Sequence, residues 1–111
     1  INKYYALDLS PDKSMVRFLL ESGIQVFAVS WRNPTAAHRD WGLDTYVAAL
    51  DEAVDAAREI SGSEDVSMMG SCSGGVTATA YVSTLGSAAD KKIKNLVLAV
   101  CLLDPRARSA A

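Results

Sequence analysis

The chain has 111 residues, half of them apolar and 22% charged, with a formal net charge of −2. That length supports one modest core, and the balance is that of a globular domain, not of a disordered or collagen-like chain. The slight acidic excess argues against nucleic acid or an anionic membrane as partner, and no apolar run reaches the length of a membrane span.

Two cysteines, Cys72 and Cys101, are too few for a disulfide framework and point to a reducing compartment. The first residue is Ile1, and the stretch from Asp104 to Ala111 loses all periodicity, so the sequence reads as an internal piece of a larger protein.

Residues 1–9 suggest an extended lead-in segment. Ser10-Pro11-Asp12 reads as a helix start, with a hydroxyl cap, proline at the first helical position and an acid in the first turn. Met15, Val16, Leu19 and Leu20 continue it as an apolar stripe, and Gly23 suits the left-handed position after the last turn. Ile24 to Val29 is nearly all apolar and partly β-branched, as in a parallel strand covered on both faces. Residues 30–42 form a long polar connection with Trp31 and Trp41 near its ends, where such rings more often anchor a loop than wall a pocket.

Residues 43–60 give the clearest helix. Leu43, Val47, Leu50, Val54 and Ala57 share one face, Asp44, Asp51, Glu52, Asp55 and Glu59 the other, and Ser61-Gly62-Ser63 ends it. A strand over 66–71, a turn at Cys72, a helix over about 73–88 and a strand from Asn95 to Leu103 follow. Strand, helix, strand, helix, strand predicts the α/β class, a parallel sheet with crossover helices.

The turn carries the chemistry. Val66-Ser67-Met68-Met69-Gly70-Ser71-Cys72-Ser73-Gly74-Gly75 has the layout of a nucleophile elbow, in which a strained strand-to-helix turn lifts one reactive side chain. Such a turn needs glycine two places before and two places after the nucleophile, because strand and helix approach closely there. Cys72 has Gly70 and Gly74 at those places, whereas Ser73 is preceded there by Ser71, and Ser71 by Met69. A thiol at a helix N-terminus is favoured as thiolate, and the Ser73 backbone N–H is one oxyanion donor. The turn is neither a P-loop nor a Gly-x-Gly-x-x-Gly dinucleotide turn. Cys101, inside the last strand, reads as core. His38 is the sole histidine; it precedes the nucleophile and reads as a solvated loop residue rather than the base. Asp104 reads as a strand-end turn residue.

Ile1-Asn2-Lys3-Tyr4-Tyr5, Leu7-Asp8-Leu9-Ser10-Pro11, Val29-Ser30-Trp31-Arg32-Asn33-Pro34 and Gly70-Ser71-Cys72-Ser73-Gly74-Gly75 closely resemble polyhydroxyalkanoate synthases over residues 1–104. The Cys-Ser-Gly-Gly form and Trp41-Gly42-Leu43 look most like the class II, medium-chain type. The resemblance implies a partial sequence: residues 1–104 are the central part of a catalytic domain of α/β-hydrolase fold, and 105–111 an unstructured or artefactual tail. It implies a cytoplasmic, granule-associated acyltransferase that polymerises (R)-3-hydroxyacyl-CoA into polyester and releases CoA. Cys72 matches the family's nucleophile. The family's catalytic Asp and His fall beyond this sequence, and neither Asp104 nor His38 matches them; a second oxyanion donor falls near Tyr5-Ala6. Further implications are a homodimeric parent, no metal, no cofactor other than the CoA thioester as substrate, no transmembrane segment, and an isolated segment that is inactive. Two alternatives stay open: a Cys-elbow hydrolase of dienelactone-hydrolase or thioesterase type, and a non-catalytic α/β piece that only binds.

Overall fold

The structure, a computed structural model, describes residues 3–104 and 106, in two compact units, 1–40 and 41–111. Ile1, Asn2 and most of the expected 105–111 tail lie outside the described residues.

The first unit opens with a 3₁₀ turn, Tyr4–Leu7, followed by strands β1 (Asp8–Ser10) and β2 (Lys13–Ser14) in an antiparallel pair. Pro11 and Asp12 form the turn of this hairpin rather than the first turn of a helix. The helix α1 (Met15–Glu21) starts four residues later than expected, and its cap is Ser14, whose Oγ accepts the Arg17 N–H at 2.8 Å and donates to Asp8. Ser10 instead ends β1, with its hydroxyl donated to Asp12 at 2.7 Å, which leaves the cap to Ser14. Gly23 takes the expected left-handed conformation, φ +80°.

Ile24 to Val29 departs from expectation: it is described without strand pairing, and Ile24, Phe27 and Val29 are exposed. Its composition suits a strand, but a strand exists only through a ladder partner, and none of the described strands pairs with it. A 3₁₀ turn over Ala36–His38 breaks the connection that follows.

The second unit holds the α/β element. Helix α2 (Leu43–Ser61) closes on Gly62 at φ +70°, as its sequence predicts. Strand β3 (Val66–Ser71), helix α3 (Ser73–Leu85), a 3₁₀ turn over Gly86–Ala88, a short helix α4 (Ala89–Lys92) and strand β4 (Ile93–Ala99) follow. β3 and β4 pair in parallel, with Gly70 opposite Leu98 and Ser71 opposite Ala99. β4 begins two residues before and ends four residues before the expected strand, because Val100 turns to φ +46° and breaks the pleat.

The core forms where α2, α3 and the sheet meet: Leu50, Val54 and Ala57 from α2, Thr77, Ala78 and Tyr81 from α3, and Ile93 from β4. Helix α3 is rich in hydroxyls, and Thr77 and Thr79 satisfy theirs on the carbonyls of Ser73 and Gly75 one turn back. Tyr81 is wholly buried, and its hydroxyl donates to Asp51 Oδ1 at 2.9 Å. Lys92 Nζ donates to the same oxygen at 2.8 Å and to Asp55 at 3.0 Å, tying α4 to α2.

This polar clamp is not evident from the helical face pattern, which assigns Asp51 and Asp55 to the solvated side. It depresses both carboxyls, chiefly through the Lys92 hydrogen bond, and the bond to Asp51 raises the Lys92 ammonium in turn. Burial, then Asp51, pushes the Tyr81 phenol up to about 12.

Candidate active site

The β3–α3 turn puts Cys72 at the head of α3 with φ +53° and ψ −125°, a backbone conformation that an L residue rarely adopts. Such strain costs about 1–3 kcal/mol and persists where the surroundings over-determine it. Two hydrogen bonds of 3.0 Å do so: the Cys72 N–H donates across the sheet to the Ala99 carbonyl, and the Cys72 carbonyl accepts the Gly75 N–H, opening the helix. The thiol is free and its residue exposed. Nothing comparable holds Ser71, the last residue of β3, or Ser73, the first of α3, at positive φ. Of the three adjacent residues, Cys72 is the one at positive φ.

The glycines need one correction. A Cβ at Gly70 would stand 2.6 Å from the Gly75 Cα, 2.8 Å from the Gly74 carbonyl oxygen and 2.9 Å from the Gly75 nitrogen, so strand and helix do touch there. At Gly74, however, a Cβ would meet nothing within 4 Å. The second close approach belongs to Gly75, where a Cβ would lie 2.6 Å from Cys101 Sγ and 2.9 Å from its Cβ. The helical turn rotates position 74 away from the sheet and position 75 onto it, which the two-before, two-after spacing does not distinguish.

Cys101 is likewise not inside a strand: it lies two residues beyond β4, half-buried, with its sulfur against the first turn of α3. Ser73 opens α3, so its N–H is among the groups a helix leaves without an intrahelical partner. The Ala6 N–H, near the expected second donor, is already donated to the Lys3 carbonyl at 3.0 Å.

His38 belongs to the first unit, where its Nδ1 accepts the Thr35 N–H at 3.0 Å and closes a capping box. Asp104 bonds the Arg106 backbone and guanidinium, at 2.9 and 3.1 Å, and these bonds hold its carboxyl below the usual range. That is the local turn role expected of it. Trp41 meets Tyr46 edge to face at 6.4 Å, consistent with anchoring the start of α2. Among the described residues no group of three or more His, Cys, Asp or Glu side chains is placed to hold a metal, and no helix is long and apolar enough to cross a membrane.

The site thus offers a strained, exposed thiol over a helix N-terminus, an arrangement suited to nucleophilic attack on a carbonyl and to holding the resulting oxyanion.

Comparison with known proteins agrees with the α/β fold. A family model of the α/β-hydrolase fold matches residues 6–107. Poly(3-hydroxyalkanoate) polymerase 1 of Ectopseudomonas oleovorans is 53% identical over 104 residues, 94% of this chain and 19% of that protein. Poly(3-hydroxyalkanoate) polymerase 2 of the same organism is 46% identical over 112 residues, 100% of this chain and 20% of that protein. A poly(3-hydroxyalkanoate) polymerase subunit of Cupriavidus necator is 39% identical over 105 residues, 94% of this chain and 18% of that protein. The chain spans about a fifth of the length of these curated relatives.

Proposed function

Because the chain belongs to the α/β-hydrolase fold family, we propose that it is the nucleophile-bearing segment of an acyltransferase that polymerises (R)-3-hydroxyacyl-CoA into polyhydroxyalkanoate. The observation that carries the reading is the left-handed backbone of Cys72 at a glycine-tight strand-to-helix turn. The polymerases at 53% and 46% identity support the substrate class.

In this mechanism the Cys72 thiolate attacks the thioester carbonyl, forming a new C–S bond and a tetrahedral oxyanion that the Ser73 N–H stabilises. Collapse breaks the bond to CoA, which leaves as a thiolate and takes up a proton. The acyl group remains a thioester, so it keeps its activation for transfer to the 3-hydroxyl of another monomer or of the growing chain. No resident cofactor or metal is needed, since the CoA thioester is itself the substrate.

Deprotonation of that hydroxyl requires a base, which we assign, with its acidic partner, to residues outside 1–111, since His38 caps its own turn. Medium-chain monomers, a homodimeric parent and a cytoplasmic site at the granule surface complete the proposal, on the family resemblance of the elbow and of Trp41-Gly42-Leu43.

The test is covalent trapping. With a 3-hydroxyacyl-CoA, mass spectrometry of the full-length protein carrying this segment is expected to find the acyl group on the Cys72 peptide. Cys72→Ala abolishes it and Ser71→Ala keeps most of it. Retained labelling in the Cys72→Ala protein sinks the assignment.

A further inference from the structure

We propose that Val100 is a positioning residue for Cys72, its left-handed backbone bracing the elbow from the end of the neighbouring strand. Among the described residues, Cys72 at φ +53° and Val100 at φ +46° are the non-glycine residues at positive φ. They belong to one substructure. The Ala99 carbonyl, whose carbon is bonded to the Val100 nitrogen, accepts the Cys72 N–H at 3.0 Å. On the other side of Val100, Cys101 sets its sulfur and Cβ against Gly75, so closely that a Cβ there would stand 2.6 and 2.9 Å away. One neighbour of Val100 therefore holds the amide of the nucleophile, and the other fills the space beneath the first turn of α3.

The conformation is not explained by the Val100 side chain. A β-branched residue at positive φ is a steric outlier, and within residues 1–111 Val100 is 85% exposed, so no contact of this segment compensates it. An extended residue at position 100 would carry the chain straight on from β4 and take Cys101 off Gly75. A left-handed residue ends the pleat while the Ala99 carbonyl stays on the Cys72 amide. The strain is thus the consequence of making both contacts at once.

The relevance of this brace to catalysis rests on the reading of Cys72 as nucleophile, but its geometry can be tested without polymer formation. Val100→Asn, Val100→Gly and Val100→Pro are made in the full-length protein. Amide exchange at Cys72 and iodoacetamide labelling of Cys72 and Cys101 are followed by peptide mass spectrometry, alongside melting temperature. Asn and Gly accept positive φ, so Cys72 labelling is expected to stay within about twofold of the parent. The Asn variant is expected to melt several degrees higher, the steric penalty being removed.

Proline fixes φ near −65°. In Val100→Pro the Cys72 amide is expected to exchange faster, and the Cys72 thiol to label slower, each by about tenfold or more, the equivalent of one hydrogen bond. Cys101, released from Gly75, should label faster. A folded proline variant with parental exchange and labelling overturns the proposal, as does loss of Cys72 labelling in the asparagine variant. Should the proline variant not fold, the asparagine variant decides: a higher melting temperature supports the strained brace, and an unchanged or lower one overturns it. Acyl transfer that survives Cys72→Ala would remove the nucleophile reading and leave these results standing.

Discussion

The three glycines of the elbow are expected to respond to alanine in different directions. At Gly70 a new methyl would meet three backbone atoms at 2.6, 2.8 and 2.9 Å. Ordinary carbon contacts lie near 3.5–4.0 Å, so strand and helix must separate by about 1 Å. Overpacking of this kind costs about 1–3 kcal/mol. At Gly74 the methyl meets nothing within 4 Å, and the residue lies in the first turn of α3 at ordinary φ. There alanine restricts the unfolded chain and stabilises by about 0.4–1 kcal/mol.

The two variants should therefore differ by roughly 2 kcal/mol or more, which separates their melting temperatures by roughly 10 °C in a unit of this size. At Gly75 the closest atoms are Cys101 Sγ and Cβ at 2.6 and 2.9 Å, with the Gly70 carbonyl oxygen at 3.2 Å, so part of the obstruction is a side chain and the cost is destabilising. Cys101→Gly should recover part of it, giving a favourable coupling of about 0.5 kcal/mol or more in a double-mutant cycle. Urea and thermal unfolding of the parent and the five variants measure this, with thiol labelling of Cys72 as a site readout. A Gly70→Ala protein as stable as Gly74→Ala would refute the close crossing of β3 and α3.

Removing the Tyr81 hydroxyl by Tyr81→Phe deletes a bond from a wholly buried phenol to Asp51. It should cost about 1–2 kcal/mol, seen as a lower urea midpoint at unchanged slope; an unshifted midpoint would mean that Lys92 alone satisfies Asp51. The clamp also sets a pH dependence. The folded state raises Tyr81 from 10.0 to about 12 and raises Lys92 above 10.5, so the unfolded chain releases these protons first. Their contribution is complete below about pH 10 and is lost as pH rises through the folded values, and Tyr81→Phe should flatten that alkaline limb in urea titrations. Asp51 and Asp55, depressed below 3.8, act with the opposite sign: their contribution is present above that value and lost as pH falls through the folded ones. Finally, residues 1–111 expressed alone should make no polymer from 3-hydroxyacyl-CoA, because His38, the sole histidine of the sequence, holds Thr35 through Nδ1. Sustained CoA release with polymer growth would return His38 to the mechanism.

Local signals determined a good deal. The 3.6-residue stripe of α2, its Gly62 stop and the β3–Cys72–α3 order are all legible because each depends on residues close in sequence. The resemblance carried by Ser30–Pro34 and the elbow agrees with relatives that match nearly the whole chain.

Other features needed a partner distant in the chain. An apolar run at 24–29 fits a strand by composition, but strand pairing requires a ladder that composition does not supply. Ser10 reads as a helix cap until the pairing of β1 with β2 takes it up and leaves the cap to Ser14. Asp51 looks solvated on a helical wheel until Tyr81 and Lys92, 30 and 41 residues onward, arrive at the same oxygen. Spacing named Gly74 as the tight glycine, whereas the rotation of α3 against Cys101 gives that role to Gly75. Periodicity is a property of one element. Contact between elements depends on how each is rotated against the next, and only the tertiary structure fixes that.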